Sequence, residues 1–193
     1  MSIFGRCQWH SEPPKWAITD HGLEVETGPK TDFWQKTYYE FRRDDGHFYY
    51  TEAEGDFSAV VTFDGEYAVL YDQAGVMVRG DSQHWLKAGV EFSDGAMNLS
   101  TVITRDGESD WSVISIPNLQ GPQRVRITRS GGALFSHFQT SEGIWSLMRL
   151  GSLPLPQRVK VGPMCCSPER TGLIVRFLDF EVADAVKTPL HGD

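Results

Sequence analysis

The chain has 193 residues, 40% hydrophobic, 23% charged and 12% aromatic, which suits one globular domain with a substantial core. Its 26 Asp and Glu outnumber 18 Lys and Arg, and the net charge of −8 repels phosphate backbones and anionic lipid. Nucleic-acid and membrane partners are therefore set aside. No window reaches the roughly 18 apolar residues of a membrane-spanning helix, and MSIFGRCQWHSEPP has no apolar signal core, so a cytoplasmic location is expected.

Alternation of period two runs through most of the chain. FSAVVTF places Phe57, Ala59, Val61 and Phe63 on one face. The alternation is weakest around Tyr67 to Asp72, where a turn or two of helix is expected. Two strands follow in YDQAGVMVRGDSQHWLKAGVEF, residues 71–92. One face carries Val76, Val78, Leu86, Ala88, Val90 and Phe92; the other carries Met77, Arg79, Trp85, Lys87 and Glu91.

MNLSTVIT alternates Met97, Leu99, Thr101 and Ile103 against small polar residues. WSVISI, RVRIT, ALFSHFQT, IWSLMRL and LIVRFLDFEV continue the pattern. Turn signals lie at Asp64-Gly65, Asp94-Gly95, Asp106-Gly107, Gly131-Gly132 and Glu142-Gly143. Short strands joined by glycine turns predict one antiparallel all-β domain over 1–193, with its core at about 4–182 and a loose tail over 184–193. Three cysteines are too few for a disulfide framework, and adjacent Cys165 and Cys166 would make a strained bridge, so reduced thiols are expected.

The second face of the 71–92 pair raises the functional question. A ladder of Arg79, Lys87 and Glu91 would contribute only about 0.2–1 kcal/mol per cross-strand pair. It does not require an exposed Trp85 beside it, whereas a ligand-binding face does. Trp34 in TDFW and Trp111 beside Asp110 add aromatic rings. Rings flanked by carboxylates, amides and cations suit sugar recognition, with C–H groups stacking and hydroxyls hydrogen bonded. Asp72 and Gln73 precede Gly75, where backbone approaches closely, and His47 and His84 titrate near neutrality.

A glycosidase would use Glu91 with Asp72, Asp32 or Asp81, but within residues 71–92 no two acids stand at i and i+2. HExxH, CxxC and Gly-rich phosphate loops are absent, so no cofactor is expected. The acid turns Asp44-Asp45-Gly46 and Asp64-Gly65-Glu66 match calcium ligand chemistry, but turns favour Asp and Gly in any case.

The run RITRSGGALFSHFQTSEGIWSLMRL, with the closing VKVGPMCCSP and GLIVRFLDFEV, resembles strands of concanavalin A-like sandwiches. TDFW (31–34), GHF (46–48), YDQAG (71–75), Met77, Arg79, Trp85, Lys87, Gly89, Glu91 and Asp110-Trp111-Ser112 form an ordered series from about Phe4 to Val182. That series resembles the bacterial and fungal domain-of-unknown-function family 1349 of the concanavalin A-like lectin/glucanase superfamily. The resemblance implies a jelly roll with no established reaction, in a superfamily whose concave face often holds ligands.

The expected ligand set is Asp32, Trp34, His47, Asp72, Gln73, Arg79, Trp85, Lys87, Glu91 and Trp111. The ligand expected is a carbohydrate or sugar phosphate, with Arg79 and Lys87 holding an anionic group. The alternatives are a regulatory domain contacting a metabolic enzyme or a second copy, and, third, a glycoside hydrolase.

Overall fold

The computed structural model describes residues 3–117 and 119–190. A 3₁₀ turn (Ile3–Arg6) precedes sixteen strands. They are β1 (Gln8–Trp9), β2 (Lys15–Thr19), β3 (Gly22–Glu26), β4 (Phe33–Gln35), β5 (Arg42–Asp44), β6 (His47–Glu54), β7 (Phe57–Gly65) and β8 (Gln73–Arg79). The second half adds β9 (Trp85–Ser93), β10 (Ala96–Arg105), β11 (Glu108–Ser115), β12 (Gln123–Ser130), β13 (Ala133–Gln139), β14 (Trp145–Ser152), β15 (Arg158–Cys166) and β16 (Ile174–Asp184).

Two seven-stranded antiparallel sheets form a sandwich, in the orders β1-β6-β15-β8-β9-β10-β11 and β14-β13-β12-β7-β16-β3-β2. The pair β4–β5 is a separate small hairpin. Asp94-Gly95 and Asp106-Gly107 both have positive φ at the two positions, as tight hairpin turns require, and join β9 to β10 and β10 to β11. Asp64-Gly65 differs from expectation. It ends β7, with Asp64 opposite Arg176 and Gly65 opposite Val175 in β16. The helix expected near residue 70 is a single turn closed by Asp72 N donating to Val69 O, 3.0 Å.

The period-two reading gives the core its faces. Val76, Val78, Leu86, Ala88 and Val90 are buried between the sheets with Phe57, Ala59, Val61, Phe63, Leu99 and Ile103. Phe92, at the end of β9, is only half buried. Thr101 and Ser136 satisfy each other's hydroxyls inside this layer, 3.1 Å apart.

The outer face of the first sheet carries a second apolar cluster of Phe33, Phe48, Tyr50, Met77, Trp85, Val102, Met164 and Cys166. Trp85 is thus fully buried, contrary to its expected exposure. The reason is the β4–β5 hairpin, whose Phe33 ring lies 6.1 Å from that of Trp85. Cys165 faces the core and Cys166 this outer cluster; both are free thiols, and burial pushes both thiols up.

The C-terminal segment is tied down as far as it is described. Val186 N donates to Ser58 Oγ at 3.1 Å, and His137 Nε2 donates to Pro189 O at 2.7 Å. The tail expected to be loose spans 184–193, of which residues 191–193 lie outside the described residues. Among the described residues no helix is long and apolar enough to cross a membrane.

Candidate functional site

The charges on the outer face first of all hold the hairpin. Arg79, nearly buried, donates from both Nη atoms to the Asp44 carboxylate at 2.7 and 2.8 Å. Lys87 Nζ donates to Phe33 O (2.8 Å), Gln73 Oε1 (2.7 Å) and Asp32 Oδ1 (3.4 Å). Gln35 N reaches Ser109 Oγ at 2.9 Å, and Arg42 Nη1 reaches Gly107 O at 3.0 Å. Two strands of three residues could not stand alone; these bonds and the Phe33–Trp85 contact fasten them to the sheet.

Between the hairpin and the sheet is a cavity of about 210 Å³. Its floor comes from β8 to β11, with Gln73, Lys87, Glu91, Val102 and Trp111. Asp32, Trp34, Tyr39 and Phe41 form one wall, and Tyr71, Pro168 and Glu169 the other. Six expected ligand residues therefore meet here: Asp32, Trp34, Gln73, Lys87, Glu91 and Trp111. An open groove of about 500 Å³ adjoins the cavity, sharing Trp34, Tyr39 and Trp111 and adding Tyr38, which is 87% exposed.

Glu91 is the unusual group. It is 5% exposed, and the one hydrogen bond to its carboxylate among the described residues comes from Ser100 Oγ at 3.2 Å. Ser100 Oγ in turn accepts from Trp111 Nε1 at 3.0 Å. Burial raises the Glu91 carboxyl to about 7, with Asp32 also raising it, while Lys87 and the Ser100 hydroxyl pull it back. A carboxylate so placed is costly to leave unpaired.

The walls are conformationally unusual too. Lys36, Tyr38 and Glu40 in the hairpin tip and Tyr71 opposite all have positive φ, at 54–66° with Lys30 included. Such positions in non-glycine residues cluster where surrounding structure, and often function, over-determines them. Across the mouth the Tyr39 and Tyr71 hydroxyls are 3.0 Å apart, and that hydrogen bond, with burial, holds Tyr71 as a neutral phenol well above the ordinary range.

Four expected residues stand elsewhere. Trp85 is sealed under Phe33, and Arg79 is paired to Asp44. His47 Nε2 accepts from Gly28 N at 2.9 Å while Nδ1 donates to Ser11 O, so it is a neutral tie between two loops. Its pKa is lowered chiefly by burial. Asp72 is fully buried, accepting from Ala68 N, Val69 N and the Arg170 guanidinium.

In sequence these four could not be told from the rest: the strands that cover Trp85 and pair Arg79 are too short to show a period, and the partners of His47 and Asp72 include Gly28, Ser11 and Arg170, far off in the chain. Tyr71 and the TYYEF run (37–41) were legible as aromatic supply between the quoted motifs. Val102, Pro168 and Glu169 had no local signal.

Among the described residues no group of three or more His, Cys, Asp or Glu could hold a metal ion. The acid turns are occupied by protein groups: Asp44 by Arg79, Asp45 by Asp32 N and Arg43, and Glu66 by Arg176.

The model of the family described as Protein of unknown function (DUF1349) matches residues 9–185. The chain belongs to the DUF1349 family. A relative from Saccharomyces cerevisiae, "Regulation of enolase protein 1", is 42% identical over 179 residues, covering 92% of this chain and 90% of that one. A crystal structure of a functionally unknown protein from the same yeast superposes with a TM-score of 0.90 at 40% identity, over 95% of this chain and 98% of the other. The DUF1349 sandwich is also similar in fold to a carbohydrate binding module, CBM66, from Bacillus subtilis. There the TM-score is 0.58 at 11% identity, over 90% and 94% of the two chains.

Proposed function

We propose that this DUF1349 protein binds a small hydroxyl-bearing ligand of the carbohydrate class in the cavity beneath the β4–β5 hairpin, in the cytoplasm. The observation that carries the reading is Glu91, a buried carboxylate with one hydrogen bond that lines an aromatic-walled cavity. A ligand hydroxyl donating to Glu91 or Asp32 supplies the missing partner, and the faces of Trp34 and Trp111 supply stacking surface.

At about 210 Å³ the cavity is smaller than the roughly 300–1,000 Å³ of drug-sized sites, so it takes one ring, with the groove past Tyr38 available to whatever is attached. The CBM66 likeness supports a fold suited to such binding and carries no residue with it. A sugar phosphate is less well served, because Arg79 is outside the lining and paired with Asp44, and Lys87 Nζ is directed at Phe33 O, Gln73 Oε1 and Asp32 Oδ1.

The test is a thermal-shift and calorimetric screen of neutral mono- and oligosaccharides, with Trp111→Ala alongside. A sugar that stabilises the protein and binds at least tenfold more weakly to W111A supports the reading. No response to any sugar overturns it.

The second reading is regulatory contact with a protein. It is favoured by the name of the yeast relative and by exposed Ile114, Leu147 and Leu150, carried on the sheet-edge strands β11 and β14. Sedimentation of this protein with purified enolase checks it: co-migration lost on Leu147→Lys supports the contact, and independent migration rules it out.

A further inference from the structure

The cavity offers acceptors and ring faces but almost no donors. The three Lys87 donors are directed at Phe33 O, Gln73 Oε1 and Asp32 Oδ1. Gln73 Nε2 donates one of its two N–H groups to Tyr71 O at 3.2 Å. Trp34 Nε1 donates to Thr37 O and Trp111 Nε1 to Ser100 Oγ, both at 3.0 Å. Tyr39 and Tyr71 share a hydrogen bond, which leaves a single phenolic proton between them. A phosphate needs several donors, and a neutral sugar needs both donors and acceptors.

Beyond one Gln73 N–H and one phenolic proton, the lining presents the carboxylates of Asp32, Glu91 and Glu169 and the rings of Trp34, Tyr39, Phe41, Tyr71 and Trp111. Lys87 is the one cation in the lining, 4% exposed. Aromatic faces attract a cation through their quadrupole, most strongly where water is excluded. A buried carboxylate without a counter-ion is completed by the same charge.

We infer that the cavity selects a ligand presenting a protonated or quaternary ammonium group, held against the Glu91 and Asp32 carboxylates and walled by aromatic rings. This rests on the cavity being the ligand site and narrows the carbohydrate reading to amino-substituted ligands. The charged and titratable groups facing Glu91 are Lys87 on its own strand, Asp32 ahead of β4, Tyr39 of the hairpin, Tyr71 ahead of β8 and Glu169 after β15. Burial retains the Glu91 proton to near neutrality, so bound ammonium expels that proton and affinity rises with pH.

Calorimetry of the full chain at about pH 6 and about pH 8 tests this with two isosteric probes, choline and its neutral carbon analogue 3,3-dimethylbutan-1-ol. The expected result is at least tenfold preference for choline, tighter binding at the higher pH, and loss of both effects in Glu91→Gln. Trp111→Ala, which leaves Glu91 in place, should weaken choline by a similar factor and guards against a folding failure of the first variant.

Equal binding of the two probes, or choline affinity unchanged in both variants, overturns the inference. If neutral sugars still bind in that case, the carbohydrate reading survives without it. Choline binding with no sugar bound supports the ammonium site and ends the carbohydrate reading. Silence from both probes and all sugars ends both.

Discussion

Gln73 and Glu91 face each other directly across β8 and β9, yet their side chains bond to other partners. Gln73 gives its carbonyl oxygen to Lys87 and its amide nitrogen to Tyr71 O. Glu91 is left with Ser100 alone. The pairing of neighbouring strands thus sets three polar side chains around one point and satisfies two of them.

That imbalance predicts a pH-dependent stability. The unfolded chain releases the Glu91 proton at an ordinary 4.5 and the folded chain at about 7. Between those values the folded state holds the extra proton, so stability falls as pH rises, by roughly 3 kcal/mol across the window. Glu91→Gln should remove most of this slope and make the ligand-free protein more stable than wild type at about pH 8. Urea unfolding across that range measures it; parallel wild-type and variant curves would contradict the assignment.

Arg79 and Asp44 make the second case. Their bond is bidentate, the Arg79 side chain is only 6% exposed, and it also approaches the Phe33 ring at 5.8 Å. Removing one partner of a buried pair leaves the other without its counter-charge, at about 3–5 kcal/mol. Asp44 is partly exposed, so the lower end applies. Arg79→Met, which leaves the part-exposed Asp44 behind, should cost about 3 kcal/mol in urea unfolding, and Asp44→Asn, which strands the buried guanidinium, at least as much. If R79M is within about 0.5 kcal/mol of wild type, Arg79 is free for a ligand after all.

These two residues mark what the sequence could and could not disclose. Alternation from Phe57 onward carries its own physics: each face is set by period two, and each tight hairpin by a turn residue tolerant of positive φ. So the strands and the five buried core residues of β8 and β9 were readable. The same alternation placed Arg79, Trp85, Lys87 and Glu91 on one outer face, which the structure reproduces.

It could not disclose that three-residue strands far earlier in the chain, 33–35 and 42–44, lie across that face. β4 and β5 are too short to display a period, and their tip is shaped by Lys36, Tyr38 and Glu40 at positive φ, residue types that do not announce it. Hence Trp85 was read as exposed and is a core residue of a second cluster. His47 and Asp72 failed differently. Both lie inside quoted motifs, but their partners, Gly28, Ser11 and Arg170, are distant in sequence.

Lys87 tests whether the hairpin depends on the floor of the cavity. Its three acceptors join β4, the Asp32 turn and β8 at one nitrogen. Lys87→Met keeps the stem volume and removes every donor. Hydrogen exchange should then accelerate at least tenfold for amides in 33–44 while those of β12 and β13 are unchanged, the signature of local opening. Uniform acceleration would mean that Lys87 supports the whole sandwich instead.

The Tyr39–Tyr71 bond across the mouth gives the last prediction. It joins the hairpin tip to the loop before β8, and it is the first cause of the upward shift of Tyr71, followed by burial and the nearby Tyr39 charge. Tyr39→Phe keeps the ring that lines the cavity and removes only the hydroxyl. In an ultraviolet difference titration, Tyr71 should ionise closer to the ordinary value of about 10.

The lost bond should cost about 0.5–1.5 kcal/mol in stability, as for a typical net hydrogen bond. If the hydroxyls also hold the mouth closed, ligand dissociation from Y39F should be faster while association is unchanged or faster. A Tyr71 titration that does not move would show the two hydroxyls to be independent in solution, and the mouth would then be open without either of them.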